Sequence, residues 1–145
     1  MGSILTALTA FVVEDDPHAL LAVSSLLSEI GIRYKRNTTG SNVITQVRAM
    51  LPRPDVILLD FSLPHGDACA IASVLHSAPD LQQIPVIAML DSNVLPCAST
   101  ASQLGLADVV TKPLPRNSLG AIILRAVRSR RSHGGKPQTS PLGAG

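Results

Sequence analysis

Two acids at positions 14 and 15, a third at 60 and a lysine at 112 each follow an apolar run. The runs are Ala10-Phe11-Val12-Val13 before Glu14-Asp15-Asp16, Val56-Ile57-Leu58-Leu59 before Asp60, and Ala107-Asp108-Val109-Val110-Thr111 before Lys112-Pro113. Each reads as a buried strand that ends in a functional group. In an open parallel sheet the strand C-termini share one edge, and ligands bind there. Carboxylates and one lysine gathered on that edge suit a divalent metal with a phosphoryl group beside it. Carboxylate oxygens are what a hard cation prefers, and an ammonium is a compact positive charge.

Those residues come together only if the strands are parallel neighbours, and the intervening segments support this. Asp16-Pro17 opens a helix, with Pro in its first turn. Leu20, Leu21, Val23, Leu26, Leu27 and Ile30 recur at helical spacing until Gly31 stops it. Residues 32–36 form a short polar strand, expected at an edge. Ser41 is placed to cap a second helix carrying Val43, Ile44, Val47 and Met50, which Leu51-Pro52-Arg53-Pro54 breaks. Strand three spans 55–60, and Leu63-Pro64-His65-Gly66 reads as a turn. A third helix covers 67–77, strand four 84–90, a weakly patterned fourth helix 95–104, strand five 107–111 and a fifth helix 115–130. Five βα units of this length predict a doubly wound α/β fold: a five-stranded parallel sheet with helices on both faces.

The 145 residues suit one domain. It is expected over 9–130, with a lead-in at 1–8 and a flexible basic Gly/Pro/Ser tail at 131–145. Aromatics are 2% against 46% hydrophobic residues, so Leu, Ile, Val and Ala must fill the core. No apolar run approaches the roughly 18 residues of a membrane span. The apolar stretch 4–13 lacks a basic start and runs into acids, unlike a signal peptide. A cytoplasmic location is therefore expected, with Cys69 and Cys97 as reduced thiols; their spacing is not that of a metal site. His18, His65, His76 and His133 are scattered and read as surface or turn residues. Residues 125–145 carry five bases and no acid, which leaves seven bases against ten acids in 1–124. Such an end can touch nucleic acid or anionic lipid. Its plainer role is a solvated helix end, where cations suit the dipole.

Taken in order, Phe11-Val-Val-Glu-Asp-Asp-Pro17, Val56-Ile-Leu-Leu-Asp-Phe-Ser-Leu-Pro64 and Thr111-Lys-Pro113 resemble the receiver domain of two-component response regulators. The resemblance covers about residues 9–130. The intervals are 45 residues from Asp15 to Asp60 and 52 from Asp60 to Lys112. It implies a flavodoxin-like sheet of order 2-1-3-4-5 and five helices. It also implies that Asp60 accepts a phosphoryl group from a kinase phosphohistidine, a reaction open to a carboxylate. Mg²⁺ would be held by Asp15, Glu14 and Asp60 with the backbone carbonyl of Ser62. Lys112 would pair with Asp60 or its phosphate, and Lys112-Pro113 would be cis. Implied partners are a sensor histidine kinase or histidine phosphotransfer protein and an unidentified output partner. Direct DNA binding and membrane association are not expected, and a monomer or weak homodimer is. Singly, each residue has a plainer role: an Asp at a strand end often caps the next helix, and Asp16 before Pro17 fits that.

Three positions depart from the family's pattern. The hydroxyl residue usual at the end of strand four is replaced by Leu90, which cannot bond a phosphoryl oxygen. The next residue, usually small, is Asp91, whose charge would repel a donor unless it turned to solvent. The aromatic usual three residues before the lysine is Val109. A slip of two residues would bring Ser92 to the hydroxyl position only by lengthening strand four. These departures suggest that the chemistry is kept while the conformational switch is altered or lost. They also leave room for a receiver-shaped module that binds a partner without phosphate. A haloacid dehalogenase-like enzyme would need Asp-x-Asp after strand one, and a flavodoxin an uncharged phosphate loop there. Glu14-Asp15-Asp16-Pro17 supplies neither.

Overall fold

Val56–Asp60 (β3) and Val86–Leu90 (β4) are buried at every position, as a strand covered on both faces must be. Thr9–Val13 (β1) lies on the other side of β3. In this computed structural model, which describes residues 3–64, 67–91 and 103–134, Arg33–Asn37 (β2) and Asp108–Thr111 (β5) form the edges. All pairs are parallel, in the order β2-β1-β3-β4-β5. The polar sequence of β2 matches its edge position, where charged side chains discourage further pairing.

Alternation along the strands builds two cores. Ala10, Val12 and Leu58 face one way, against Leu20, Val23 and Leu27 of Pro17–Ile30 (α2) and Leu119, Ile123 and Val127 of Leu119–Gly134 (α5). Phe11, Val13, Ile57 and Leu59 face the other. They pack on Val43 and Val47 of Val43–Ala49 (α3) and on Ala68, Ala72 and Leu75 of Asp67–Ser77 (α4). Among the described residues no helix is long and apolar enough to cross a membrane.

Local signals set the element ends. The Asp16 side chain accepts from Ala19 N at 2.8 Å, Pro17 stands in the first turn, and Gly31 ends α2 in the left-handed region at φ 97°. The expected Ser41 cap is not formed. Asn42 at φ 60° is the N-cap and makes no side-chain cap bond. The carbonyl of Ser41 is instead taken by Asn37 Nδ2, and its amide by Thr39. Lys112-Pro113 is cis, as is Leu51-Pro52. The last helix begins at Leu119, because residues 116–118 form a turn, and runs past position 130 to Gly134. Strand four stops at Leu90, without the extension that a slip to Ser92 would need. Most of the helix expected over 95–104, residues 95–102, lies outside the described residues, as do His65 and Cys97.

The lead-in contributes to the domain. Ser3–Thr6 (α1) is one helical turn, Leu8 is buried, and Leu5 packs against the α2/α5 core. A Cβ on Gly31 would meet the Thr6 methyl at 2.9 Å. Gly31→Ala is therefore expected to lose about 1–2 kcal/mol of stability from the left-handed backbone alone, read as a lower midpoint in urea.

Candidate functional site

Strand register assembles the site. Val13 pairs with Leu59, so Glu14 stands level with Asp60. Leu90 pairs with Thr111, so Asp91 stands level with Lys112. The strand order reverses between β1 and β3, which opens a crevice at their C-terminal ends. Glu14, Asp15, Asp60 and Lys112 all converge there.

Lys112 Nζ lies 2.6 Å from Glu14 Oε1, 3.0 Å from Asp60 Oδ1 and 3.7 Å from Asp91 Oδ1. Glu14 and Asp60 are 0% and 1% exposed. Asp60 Oδ1 also accepts from Ser62 N at 2.9 Å, while Asp60 Oδ2 is buried without a hydrogen-bond partner. Glu14 Oε2 accepts from Asp16 N at 3.2 Å, and Glu14 N donates to the Asn37 carbonyl. Asp15 is exposed, yet one carboxylate oxygen from each of Glu14, Asp15 and Asp60 lies within 4.8 Å of the others. Three carboxylate oxygens at this spacing fit a hard divalent cation.

Two buried carboxylates share one ammonium, and their proton affinities split accordingly. Burial, then the neighbouring Asp60 carboxylate, pushes Glu14 up to about 7, against the pull of Lys112. At Asp60 burial also acts upward, but the bonds from Glu14, Ser62 N and Lys112 outweigh it and hold the carboxyl below its ordinary value. Burial lowers the Lys112 affinity for its proton, and the two carboxylates more than reverse this.

Asp60, Lys112, Glu14 and Asp15, expected at one edge, are together there. Lys112 is expected to pair with Asp60 or its phosphate; it also contacts Glu14, and more closely. Asp91 is expected either to repel the donor or to turn to solvent. The side chain is 50% exposed, but it accepts from Ser62 Oγ at 2.7 Å and faces Lys112. Leu90 is buried in β4 and Val109 is 39% exposed on the edge strand. Asn37, overlooked in the sequence, is buried at the end of β2. Its side chain accepts from Thr39 N and Gly40 N and donates to Gln46, which shapes the loop beside Glu14. A cleft of about 500 Å³ flanks Lys112, lined by His18, Ala19, Leu26, Asp91, Pro113 and Leu114. His76 lies far along the chain on α4, and Cys69 is a half-buried free thiol on the same helix.

Residues 10–124 match the response regulator receiver domain family. The chain belongs to that family. Among curated relatives, this receiver is 31% identical over 121 residues to the two-component response regulator-like protein APRR1 of Arabidopsis thaliana. That match covers 83% of this chain and 20% of that protein. It is 27% identical over 120 residues to the signal transduction histidine-protein kinase BarA of Escherichia coli, covering 82% of this chain and 13% of that protein. The chain thus spans a fifth or less of the length of these two relatives. The receiver domain of a signal transduction histidine kinase from Syntrophus aciditrophicus superposes with a TM-score of 0.72 at 26% identity, over 94% of this chain and 98% of that one. The receiver domain of the Pseudomonas aeruginosa sensor kinase PA1611 superposes at 0.73 with 23% identity, over 83% and 98%. That structure holds a magnesium ion in its active site cleft.

The split affinities give the metal-free receiver a pH signature. A folded-state affinity raised from 4.5 to about 7 means that the Glu14 contribution is fully present below 4.5 and lost as pH rises to 7. The loss is on the order of 3 kcal/mol by linkage. The lowered Asp60 value acts only below its ordinary 3.8, outside that window. Melting temperature without metal should fall from about pH 5 to about pH 8, and Glu14→Gln should flatten the fall.

Proposed function

We propose that this receiver accepts a phosphoryl group on Asp60 from a histidine kinase or histidine phosphotransfer protein, with Mg²⁺ bound at the same site. The observation that carries this reading is the asymmetry of Asp60. Its Oδ1 is held by Ser62 N and Lys112 Nζ, while Oδ2 is buried and unpartnered beside two further carboxylates. A carboxylate oriented through one oxygen keeps the other for attack. Lys112 is placed to follow the charge onto the transferred group, and phosphoryl transfer depends mainly on such positioning and electrostatics.

Glu14, Asp15, Asp60 and the Ser62 carbonyl are the groups that would hold the ion. When bound, Mg²⁺ neutralises charge on the transferring phosphoryl group. The magnesium in the PA1611 receiver supports this choice of metal by family likeness. The domain is a phosphoacceptor of a signalling relay, not an enzyme with a separate substrate, and it assists its own phosphorylation and dephosphorylation. The output partner is reached without the usual hydroxyl and aromatic pair, because those places hold buried Leu90 and half-exposed Val109.

A second reading, a phosphate-independent interaction module, is favoured by those same two residues. Incubation with Mg²⁺ and acetyl phosphate separates the two by intact mass. One added phosphoryl group is expected, absent in Asp60→Ala; no adduct and no Mg²⁺ binding would favour the interaction module. Mg²⁺ at a hundredfold its dissociation constant should stabilise the fold by about 2.7 kcal/mol, and Asp60→Ala should lose most of that gain. Restoring a hydroxyl with Leu90→Thr should enlarge the phosphate-dependent change in amide exchange around β4 and β5. An equal change in both proteins would overturn the altered-switch reading.

A further inference from the structure

The mouth of the site carries a charge that phosphoryl transfer does not call for. Asp91 follows the last residue of β4, and the β4–β5 register sets it beside Lys112. Its Oδ2 takes the Ser62 hydroxyl at 2.7 Å, and its Oδ1 stands 3.7 Å from Lys112 Nζ. A loop aspartate merely facing water would have neither contact. The side chain therefore bridges the β3 and β5 sides of the mouth, and engages two groups that lie next to the acceptor.

We propose that Asp91 is a specificity-determining residue that discriminates against small, free, dianionic phosphoryl donors. This rests on the phosphoacceptor reading of Asp60. With a divalent ion on three ionised carboxylates and a charged Lys112, the pocket is neutral without Asp91 and carries one negative charge with it. A free dianion must approach that charge and draw Lys112 from it. A donor borne on a protein can bring its own N–H groups or cations to the half-exposed carboxylate; a free acyl phosphate has none to offer. The transfer itself is unchanged. An Asp60 oxygen bonds to phosphorus, the phosphorus–oxygen bond of acetyl phosphate breaks, and acetate leaves with the electron pair. The net charge of −3 before the step is −3 after it. A unit charge facing a dianion at about 6 Å in water-like surroundings changes such a rate on the order of tenfold.

The test follows the rate of Asp60 phosphorylation by acetyl phosphate in the full chain, at saturating Mg²⁺ for each variant. It is run at about 0.05 M and about 0.5 M salt, across which repulsion between exposed charges is progressively screened. Asp91→Asn keeps the shape and a partner for Ser62 but removes the charge. The expected result is a rate on the order of tenfold higher at low salt. The wild-type rate should rise with salt, and the Asp91→Asn rate should not. Ser62→Ala, which keeps the backbone carbonyl and the Asp91 charge, should retain the wild-type salt dependence. An Asp91→Asn rate within about twofold of wild type, with the same salt dependence, would overturn the proposal and leave the acceptor reading standing. Loss of the salt dependence in Ser62→Ala but not in Asp91→Asn would also overturn it. If no folded variant takes up phosphate, the acceptor reading fails and this proposal fails with it.

Discussion

One lysine stands between two buried carboxylates, and the rest of the site is arranged around that imbalance. Removing a charge from water is costly unless it is paired. Glu14 and Asp60 are both fully buried, and Lys112 supplies a single compensating charge. The deficit is met partly by protonation, which burial favours at Glu14, and partly by backbone N–H groups of Asp16 and Ser62. A divalent cation among Glu14, Asp15 and Asp60 would meet it more fully. The same imbalance that costs stability would favour a cation in the pocket, a common exchange of stability for function.

That imbalance can be held only by a rigid frame. β1, β3 and β4 are packed from both faces by cores drawn from alternate residues of the same strands. Close-packed interiors give way in discrete steps and not by continuous deformation. The Asp16 cap fixes the start of α2 two residues beyond Asp15, and the Asn37 network fixes the loop beside Glu14. Lys112 is delivered by the edge strand β5, whose outer residues are exposed. The cation that matters most is therefore carried by an edge strand. Leu90, at the end of the neighbouring strand β4, is buried and has no donor to offer a phosphoryl oxygen.

The strands and four of the helices were legible in the sequence, because apolar runs and helical periodicity report burial directly. Asp60, Lys112 and the acidic pair were legible because each follows such a run, and the C-terminal edge of a parallel sheet is a shared address. Element ends were less so. Ser41 looks like a cap on residue type alone, yet tertiary bonds from Asn37 take its carbonyl, and Asn42 stands in its place. The lead-in looked separable because nothing local shows Leu5 and Leu8 joining a core made mostly of distant residues.

By itself the sequence determined the fold class, the strand order implied by the family likeness, and which acids and lysine share one edge. Those depend on periodicity and order along the chain. Only the tertiary structure decided how the charges divide: that Lys112 lies nearer Glu14 than Asp60, that one Asp60 oxygen is held and the other left free, and that Asp91 turns to Ser62. Side-chain pairing on a shared edge depends on distances of a few tenths of an ångström between residues 29 to 98 positions apart, set by strand register and packing. No spacing along the chain encodes that.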